Sequence, residues 1–293
     1  MLKNVAQRFA AARGPRVRGD AVILMYHRID VVERDPWRLA VTPARFAEQL
    51  AVINEAFHPL PLQRLRESIA TRQIPRAAAV LTFDDGYRDN LTTAKPLLEQ
   101  HDVPATLFVT TGYLDSERDF WWDELEDVCA ELESDSRTEW QRLQRLTRPE
   151  REDALDELWR KADRARPATS STMTSDELLE LCASEHFEIG AHTVSHPPLS
   201  TLSRRAQIEE IGASKERLEA LVGRPVTSFS YPHGDYSAIT RRLVESVGFT
   251  AACTTVGGAL TSAARPLELP RLHVLDWNGD EFEARLRAVL RPA

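Results

Sequence analysis

The chain has 293 residues, 42% of them hydrophobic, with a formal net charge of −8 at pH 7 and a pI near 5.6. The acidic balance argues against a nucleic-acid backbone as the main partner, and the lack of any run near about 18 apolar residues argues against a transmembrane helix. The three cysteines, Cys129, Cys182 and Cys253, are scattered and odd in number, which fits a reducing cytoplasm better than a disulfide framework.

The first 18 residues form a basic N-terminal segment that lacks an apolar core of secretory length. We therefore expect no signal peptide and a cytoplasmic protein. Leu2, Val5, Phe9 and Ala12 fall on one face of a hypothetical helix, so peripheral contact with a membrane surface is the alternative. Residues 19–293 are predicted to form one domain, because barrels often occupy about 250 residues as a single unit.

Apolar runs alternate with helix-like stretches along residues 19–293, which predicts a parallel α/β fold. The predicted strands are 21–25, 78–83, 105–109, 187–191, 226–230 and 250–254. The predicted helices include 43–55, 94–101, 203–222 and 237–247.

The stretch from about 115 to 175 differs from its surroundings, being dense in Arg and Glu with apolar residues at helical spacing. It is predicted to be a helical insertion. Its aromatic residues Phe120, Trp121 and Trp122 follow the strand that ends at Val109. Aromatic faces can stack on sugar rings, but anchoring of the insertion onto the domain is the interpretation we favour, since buried aromatics dominate packing.

A buried strand that ends in Asp84-Asp85-Gly86 has the pattern of a metal site. The carboxyl ends of parallel strands open into the crevice where α/β proteins bind ligands. Successive strand side chains point opposite ways, so one carboxylate can bind a cation while the other handles a proton. A simple turn that closes the strand is the alternative for this tripeptide alone.

His192 and His196 supply two imidazoles four residues apart, just after the predicted strand 187–191. On a helical turn or in a compact loop, both rings can reach one ion. Alone the pair is as consistent with surface or capping histidines. Together with Asp85 it forms a set of two histidines and one carboxylate, which leaves positions open for water and substrate, as in catalytic rather than structural metal sites.

These motifs resemble those of the polysaccharide deacetylase family (NodB-type, carbohydrate esterase family 4). The resemblance rests on five pieces in order between about residues 20 and 275. They are Met-Tyr-His at 25–27, Thr-Phe-Asp-Asp-Gly at 82–86, the strand-like run 105–109, His-Thr-Val-Ser-His at 192–196 and Ser-Tyr-Pro-His-Gly-Asp-Tyr at 230–236.

The resemblance implies a distorted (β/α) barrel that uses one divalent metal to remove an acetyl group from a sugar. It implies that Asp85, His192 and His196 are the metal ligands and that Asp84 is the general base. Zinc is the default for such a set, with cobalt, nickel or iron as alternatives. In the family, a backbone N–H near the Tyr-Pro-x-Gly segment helps to stabilise the oxyanion, so residues 231–234, beginning at Tyr231, are the candidates here.

The sequence also departs from the common family pattern. Ser230 stands where an arginine usually orients the catalytic aspartate, and His233 replaces an aromatic residue, as a donor, a substrate contact or neither. The late histidine that protonates the leaving amine has two candidates, His273 and His27, and each has an ordinary structural role as its alternative.

The predicted activity is metal-dependent hydrolysis of an N-acetyl group on a polysaccharide, an oligosaccharide or a glycan precursor. A cytoplasmic location favours a precursor, since finished cell-wall polymers lie outside. Two alternatives stay open: a metal-dependent hydrolase of another amide or imide, and a non-catalytic glycan-binding relative, the latter motivated by Ser230.

Overall fold

The structure is a computed structural model that describes residues 20–167 and 171–290. The predicted N-terminal segment 1–18 therefore lies outside the described residues. Parallel strands form the centre of the structure. The strands are β1 (Ala21–Tyr26), β2 (Arg28–Ile29), β3 (Ala40–Val41), β4 (His58–Pro59), β5 (Ala78–Phe83), β6 (Ala105–Val109), β7 (Phe187–Ala191), β8 (Ser228–Ser230), β9 (Ala251–Cys253) and β10 (Leu272–His273). Strands β2 and β3 pair only with each other, and the other eight form one parallel sheet.

All six predicted strands are present. β5, β6 and β7 have the predicted bounds, β1 extends one residue further, and β8 and β9 are each two residues shorter. The four strands that were not predicted are two residues long, which is too short to carry a hydrophobic period.

Helices connect the strands and cover the outside of the sheet. They are α1 (Pro43–Ala56), α2 (Leu62–Thr71), α3 (Lys95–His101), α4 (Trp121–Glu131), α5 (Ser136–Leu143), α6 (Arg148–Ala162), α7 (Ser175–Cys182), α8 (Arg204–Val222), α9 (Ala238–Ser246) and α10 (Gly279–Leu290). The four helices predicted by bounds are confirmed to within one residue at either end. In the described ranges, no helix combines the length and the apolar character that a membrane span requires.

The two faces of the strands serve different layers, as β5 illustrates. Ala79, Leu81 and Phe83 belong to the large core that packs against the helices. Ala78 and Val80 belong to a second cluster, which fills the interior of the curled sheet. Side chains alternate along a strand, so Thr82 and then Asp84 continue the interior row toward the carboxyl edge.

Seven strands of the sheet run in the order β10-β1-β5-β6-β7-β8-β9, β4 pairs with β5 beside this path, and one short segment connects the two edges. Leu269 bridges to Cys253 of β9, while β10, three residues later, pairs with β1. Residues 269–273 thus complete the ring, which is the distorted (β/α) barrel expected from the sequence. Arg271 lies in the middle of this closing segment and is fully buried.

The stretch predicted as a helical insertion contributes three helices, α4, α5 and α6, between residues 121 and 162. Phe120, Trp121 and Trp122 are all buried in a third hydrophobic cluster, which also contains Tyr87 and Tyr113 from the loops after β5 and β6. The aromatic run therefore anchors the insertion onto the carboxyl edge of the barrel.

Gly190 of β7 has no room for a side chain. A Cβ atom placed there would lie 2.7 Å from Ser228 Oγ and still closer to the ring of Phe108. We expect Gly190→Ala to lower the free energy of unfolding by about 1–3 kcal/mol, because overpacking forces neighbours to shift. Gly212→Ala is the matched control, since a Cβ at this α8 position meets nothing within 4 Å and alanine favours helix. Chemical denaturation measures both, and equal stability of the two variants would contradict the prediction.

Candidate active site

The carboxylate pair at the end of β5 sits where the barrel interior opens. Asp84 is almost fully buried, and its N–H donates to the carbonyl of Tyr26 on β1. Asp85 turns the chain with a φ of 75°, and Gly86 follows with a φ of 99°. A left-handed φ is uncommon outside glycine, and such strain is found preferentially at functional sites.

Two histidines face this pair from the loop after β7. His192 Nδ1 lies 2.8 Å from the carbonyl oxygen of Ser230, so the N–H is assigned to Nδ1 and the Nε2 lone pair is left free. The Nε2 atoms of His192 and His196 are 3.1 Å apart. His196 also has a left-handed backbone, with a φ of 57°.

Asp85, His192 and His196, the three ligands predicted from the sequence, come together as a buried donor set. Asp85 Oδ1 is 3.5 Å from the Nε2 atom of each histidine. In the described part of the chain this carboxylate oxygen has no hydrogen-bond partner, although it is buried. A buried orphan oxygen beside two converging imidazole nitrogens fits a divalent cation, and the mixed N/O set suits zinc and its neighbours.

Burial shifts the pKa values of all three donors. Burial, followed by the charge of Asp84, raises the pKa of Asp85 well above its usual value. Burial lowers the pKa of His192, and burial with His233 nearby lowers that of His196 further. Both imidazoles are therefore neutral near pH 7, which is the form that binds a metal.

Arg271 is the main site residue that sequence reasoning missed. Its Nη1 and Nη2 atoms each lie 2.7 Å from an oxygen of Asp84, in a bidentate pair that is buried on both sides. Burial alone would raise the pKa of Asp84, but the Arg271 charge holds it well below the usual range. The ion pair therefore stabilises the fold at neutral pH and is lost only as the pH falls through this depressed value.

Ser230 forms hydrogen bonds with three other residues of the site. Its hydroxyl accepts from Arg271 Nη2 at 2.8 Å and donates to Asp84 Oδ2 at 3.3 Å, while its carbonyl orients His192. The arginine expected at position 230 is thus supplied by position 271, and the small serine leaves room for it. Arg271 lies two residues before His273 in an otherwise apolar stretch, and that alternation is the signal that could have indicated it.

His27 and His273, the two candidate acids, lie at the ends of neighbouring strands with ring centroids 5.7 Å apart. Burial lowers the pKa of His27 to about 3 against an opposing influence of Asp84. Burial, then the charge of Arg38, lowers the pKa of His273 to about 4. The structure brings both rings to the edge of the barrel that carries Asp84.

The residues after β8 lie partly in the core and partly at the site. Tyr231 is buried away from the donors, its N–H bonded to Cys253 and its hydroxyl to Leu267. His233 has a left-handed φ of 56°, and its ring centroid is 4.4 Å from that of His196. Burial lowers the pKa of His233 to about 4.

Aromatic side chains of the insertion line the other side of the histidines. The Trp122 ring lies 4.7 Å from that of His196, and the Trp140 ring 5.8 Å from that of His233. The Trp122 indole also donates to Tyr87, which follows Asp85 by two residues. The insertion is therefore anchored at the site itself.

These features define a parallel α/β barrel with a buried N/O donor set and a paired carboxylate at its carboxyl edge. The sequence model for the family described as polysaccharide deacetylase matches residues 71–252, more than half of the chain. The chain belongs to the polysaccharide deacetylase family and is a hydrolase acting on carbon–nitrogen bonds in N-acetylated sugars.

Individual relatives are distant. A Bacillus subtilis (strain 168) protein provisionally named as polysaccharide deacetylase YxkH is 22% identical over 91% of this chain and 76% of its own length. The poly-β-1,6-N-acetyl-D-glucosamine N-deacetylase of Escherichia coli K12 is 28% identical over 100 residues, which are 33% of this chain and 15% of that protein. The solved structure of the Streptococcus pyogenes deacetylase PplD in complex with acetate aligns at a TM-score of 0.68 and 22% identity, covering 93% of this chain and 98% of that one. This structural likeness supports the fold.

Replacing Arg271 should move the acid limb of the pH–rate profile. Without the guanidinium, burial acts on Asp84 unopposed, so the pKa of this carboxyl rises and the ionised fraction falls as the pH is lowered. We expect Arg271→Ala to lose activity most below pH 7, by about tenfold for each pH unit under the new pKa.

Initial rates of acetyl release between pH 5 and 9 test this. Arg265→Ala is the control, because Arg265 is an exposed arginine near the same segment and, among residues 20–167 and 171–290, pairs with Glu268. A profile of Arg271→Ala that is lowered but unshifted would contradict the proposed control of Asp84 ionisation.

Proposed function

We propose that this protein is a metal-dependent hydrolase that removes the acetyl group from an N-acetylated sugar in a polysaccharide, an oligosaccharide or a glycan precursor. The observation that carries the proposal is the bidentate contact of Arg271 with Asp84 beside the donor set of Asp85, His192 and His196. A proton acceptor next to a candidate metal centre is what hydrolysis of an amide requires.

The three donors would hold one divalent ion, most simply zinc. When bound, such an ion polarises a carbonyl and lowers the pKa of coordinated water. Asp84 lies beside these donors, with its Oδ2 atom 3.9 Å from His192 Nε2, and is the carboxylate that would accept a proton there. Because Asp84 is ionised and its orientation is fixed by two hydrogen bonds from Arg271, it acts as the general base.

An amine leaving group needs a proton, and the His27–His273 pair supports that role. His27 Nδ1 is buried without a hydrogen-bond partner among the residues described, and Asp84 and His192 are among its electrostatic neighbours. We assign the general acid to this pair of rings; because burial lowers both pKa values, the ring that serves takes up a proton during the reaction and then gives it to the amine. For the oxyanion, the His233 N–H supports a donor role, because the Tyr231 and Gly234 N–H groups already bond within the protein.

The proposed substrate class follows the names of relatives and the chemistry of the site. The Escherichia coli relative is named for an N-acetylglucosamine polymer, which supports an N-acetylated amino sugar as the substrate here. Another amide or imide substrate is the second candidate, because the donors and base do not specify the acyl group. Ser230 was the reason to consider a purely glycan-binding role, because it stands where an arginine is expected. Arg271 removes that reason by providing the positive charge beside Asp84.

A cytoplasmic location, with contact at the membrane surface as the alternative, stays a prediction. The proposal of a precursor substrate depends on the cytoplasmic location. Cell fractionation followed by detection of this chain distinguishes the cytoplasm from the membrane surface.

Asp84→Asn should retain the metal and lose turnover. Asparagine preserves the shape of the side chain but accepts no proton, so we expect acetate release to fall by at least about 100-fold. The measurement is acetate released from a panel of N-acetylated monosaccharides, oligosaccharides and precursors by metal-loaded protein, beside a chelated sample. Asp102→Asn is the control, since the Asp102 side chain is 96% exposed. Unimpaired turnover in Asp84→Asn would refute its role as base.

The general acid can be identified by comparing leaving groups. His27→Gln and His273→Gln are each assayed with an N-acetyl sugar and with p-nitrophenyl acetate, whose phenolate leaves without protonation. Loss of the acid should cut N-deacetylation by about 100-fold or more while ester hydrolysis changes little. A variant that loses both activities equally would indicate a structural role for that histidine.

A further inference from the structure

The loop between the two histidine ligands adopts a conformation that its sequence does not favour. Thr193, a β-branched residue, has a φ of 66°, and His196 has a φ of 57°. Each such conformation costs energy of the order of a kcal/mol and persists only when neighbouring groups enforce it. The spacing of the His192 and His196 rings therefore depends on the contacts that hold this loop.

Glu210, on the first half of α8, binds the tip of this loop through three hydrogen bonds. Its Oε2 atom accepts from the N–H groups of Val194 and Ser195, both at 2.9 Å. Its Oε1 atom accepts from Ser195 Oγ at 2.6 Å. One carboxylate thus satisfies both consecutive amides between Thr193 and His196, and hydrogen bonds to a charged group are stronger than neutral ones.

The opposite side of the loop is bound by the chain after β6. Thr111 N–H donates to the carbonyl of Thr193 at 3.0 Å, and Gly112 N–H donates to that of Val194 at 2.8 Å. A side chain at Gly112 would collide with the same Val194 carbonyl, so the approach is close. The loop is fixed between this segment and Glu210.

A buried cation lies near Glu210. Arg151 of α6 is 2% exposed and binds backbone carbonyls rather than a carboxylate through its Nε and Nη2 atoms. Burial lowers the pKa of Arg151, and Glu210 is among the negative charges that oppose this shift. The carboxylate of Glu210 therefore has a counter-charge and a defined place between the insertion and the loop.

We propose that Glu210 is a positioning residue for the metal centre: by holding the N–H groups of Val194 and Ser195, it fixes the convergence of His192 and His196 and so sets the affinity for the divalent ion. The inference rests on the metal site of the proposed function. It adds that helix α8, which supplies no ligand among the residues described, controls the site.

Metal affinity of Glu210 variants tests the proposal. Zinc binding is measured by competition with a chromogenic chelator, and the absorption spectrum of the cobalt-loaded protein reports ligand geometry. We expect Glu210→Ala to bind zinc about 10- to 100-fold more weakly, the range typical of groups that orient metal ligands, with an altered cobalt spectrum. Glu210→Gln should fall between, because its amide oxygen can still accept from both N–H groups.

Glu209→Ala is the matched control. Glu209 is the neighbouring residue on α8, it is 62% exposed, and it pairs with Arg205 on the same helix. Its removal should change neither zinc affinity nor the cobalt spectrum. Thermal unfolding in chelator is recorded for all variants, so that a general loss of stability is separated from an effect on the site.

The outcomes are distinct. Glu210→Ala that melts earlier but binds zinc like the wild type, with the wild-type cobalt spectrum, overturns the positioning role and leaves the proposed function intact. Failure of the wild type itself to bind zinc or cobalt overturns both. Should Glu210→Ala not fold, Glu210→Gln decides: weaker zinc binding supports the role, and unchanged binding with an unchanged spectrum refutes it.

Discussion

The buried ion pair between Asp84 and Arg271 is the interaction on which the site depends. Taking two charges out of water is costly, and the pair persists because its geometry is bidentate and its remaining donors are satisfied. Arg271 also donates to Thr82, Ser230 and the carbonyl of Thr254. Apolar residues of similar volume often stabilise a fold as well as a buried ion pair does, so the particular contribution of this pair is the charge state it imposes on a carboxylate that burial would otherwise neutralise.

The barrel interior is apolar at one end and polar at the other, and this difference separates the core from the site. On β5 the inward row runs from Ala78 and Val80, in the interior cluster, through Thr82 to Asp84 at the edge. The apolar end excludes water and fixes the strands, while the polar end collects side chains from β1, β5, β8 and β10 at one rim. The insertion then covers this rim with aromatic rings, which places the candidate metal ligands in a low-dielectric surrounding where charges interact strongly.

Sequence reasoning succeeded where a feature is local. The long apolar strands, the amphipathic helices and the helical insertion follow from composition over a few residues, and the donors Asp85, His192 and His196 stand at strand ends, where a parallel fold brings them together. Arg271 could not be found in this way, because it meets Asp84 across 187 positions and lies beside a two-residue strand. The left-handed backbone of Thr193 and His196 was equally hidden, since neither is the glycine that usually indicates such a turn.

Closure of the barrel by residues 269–273 has a consequence during synthesis. A nascent chain that has reached Ser230 already carries the three candidate metal donors and Asp84, yet lacks Arg271, the partner of the Asp84 carboxylate. Until residues 269–273 pair with β1 and β9, the two edges of the sheet stay open and Asp84 lacks its bidentate partner. Arg271 therefore reaches Asp84 only as the ring closes, so the buried ion pair and the completed barrel form in the same step.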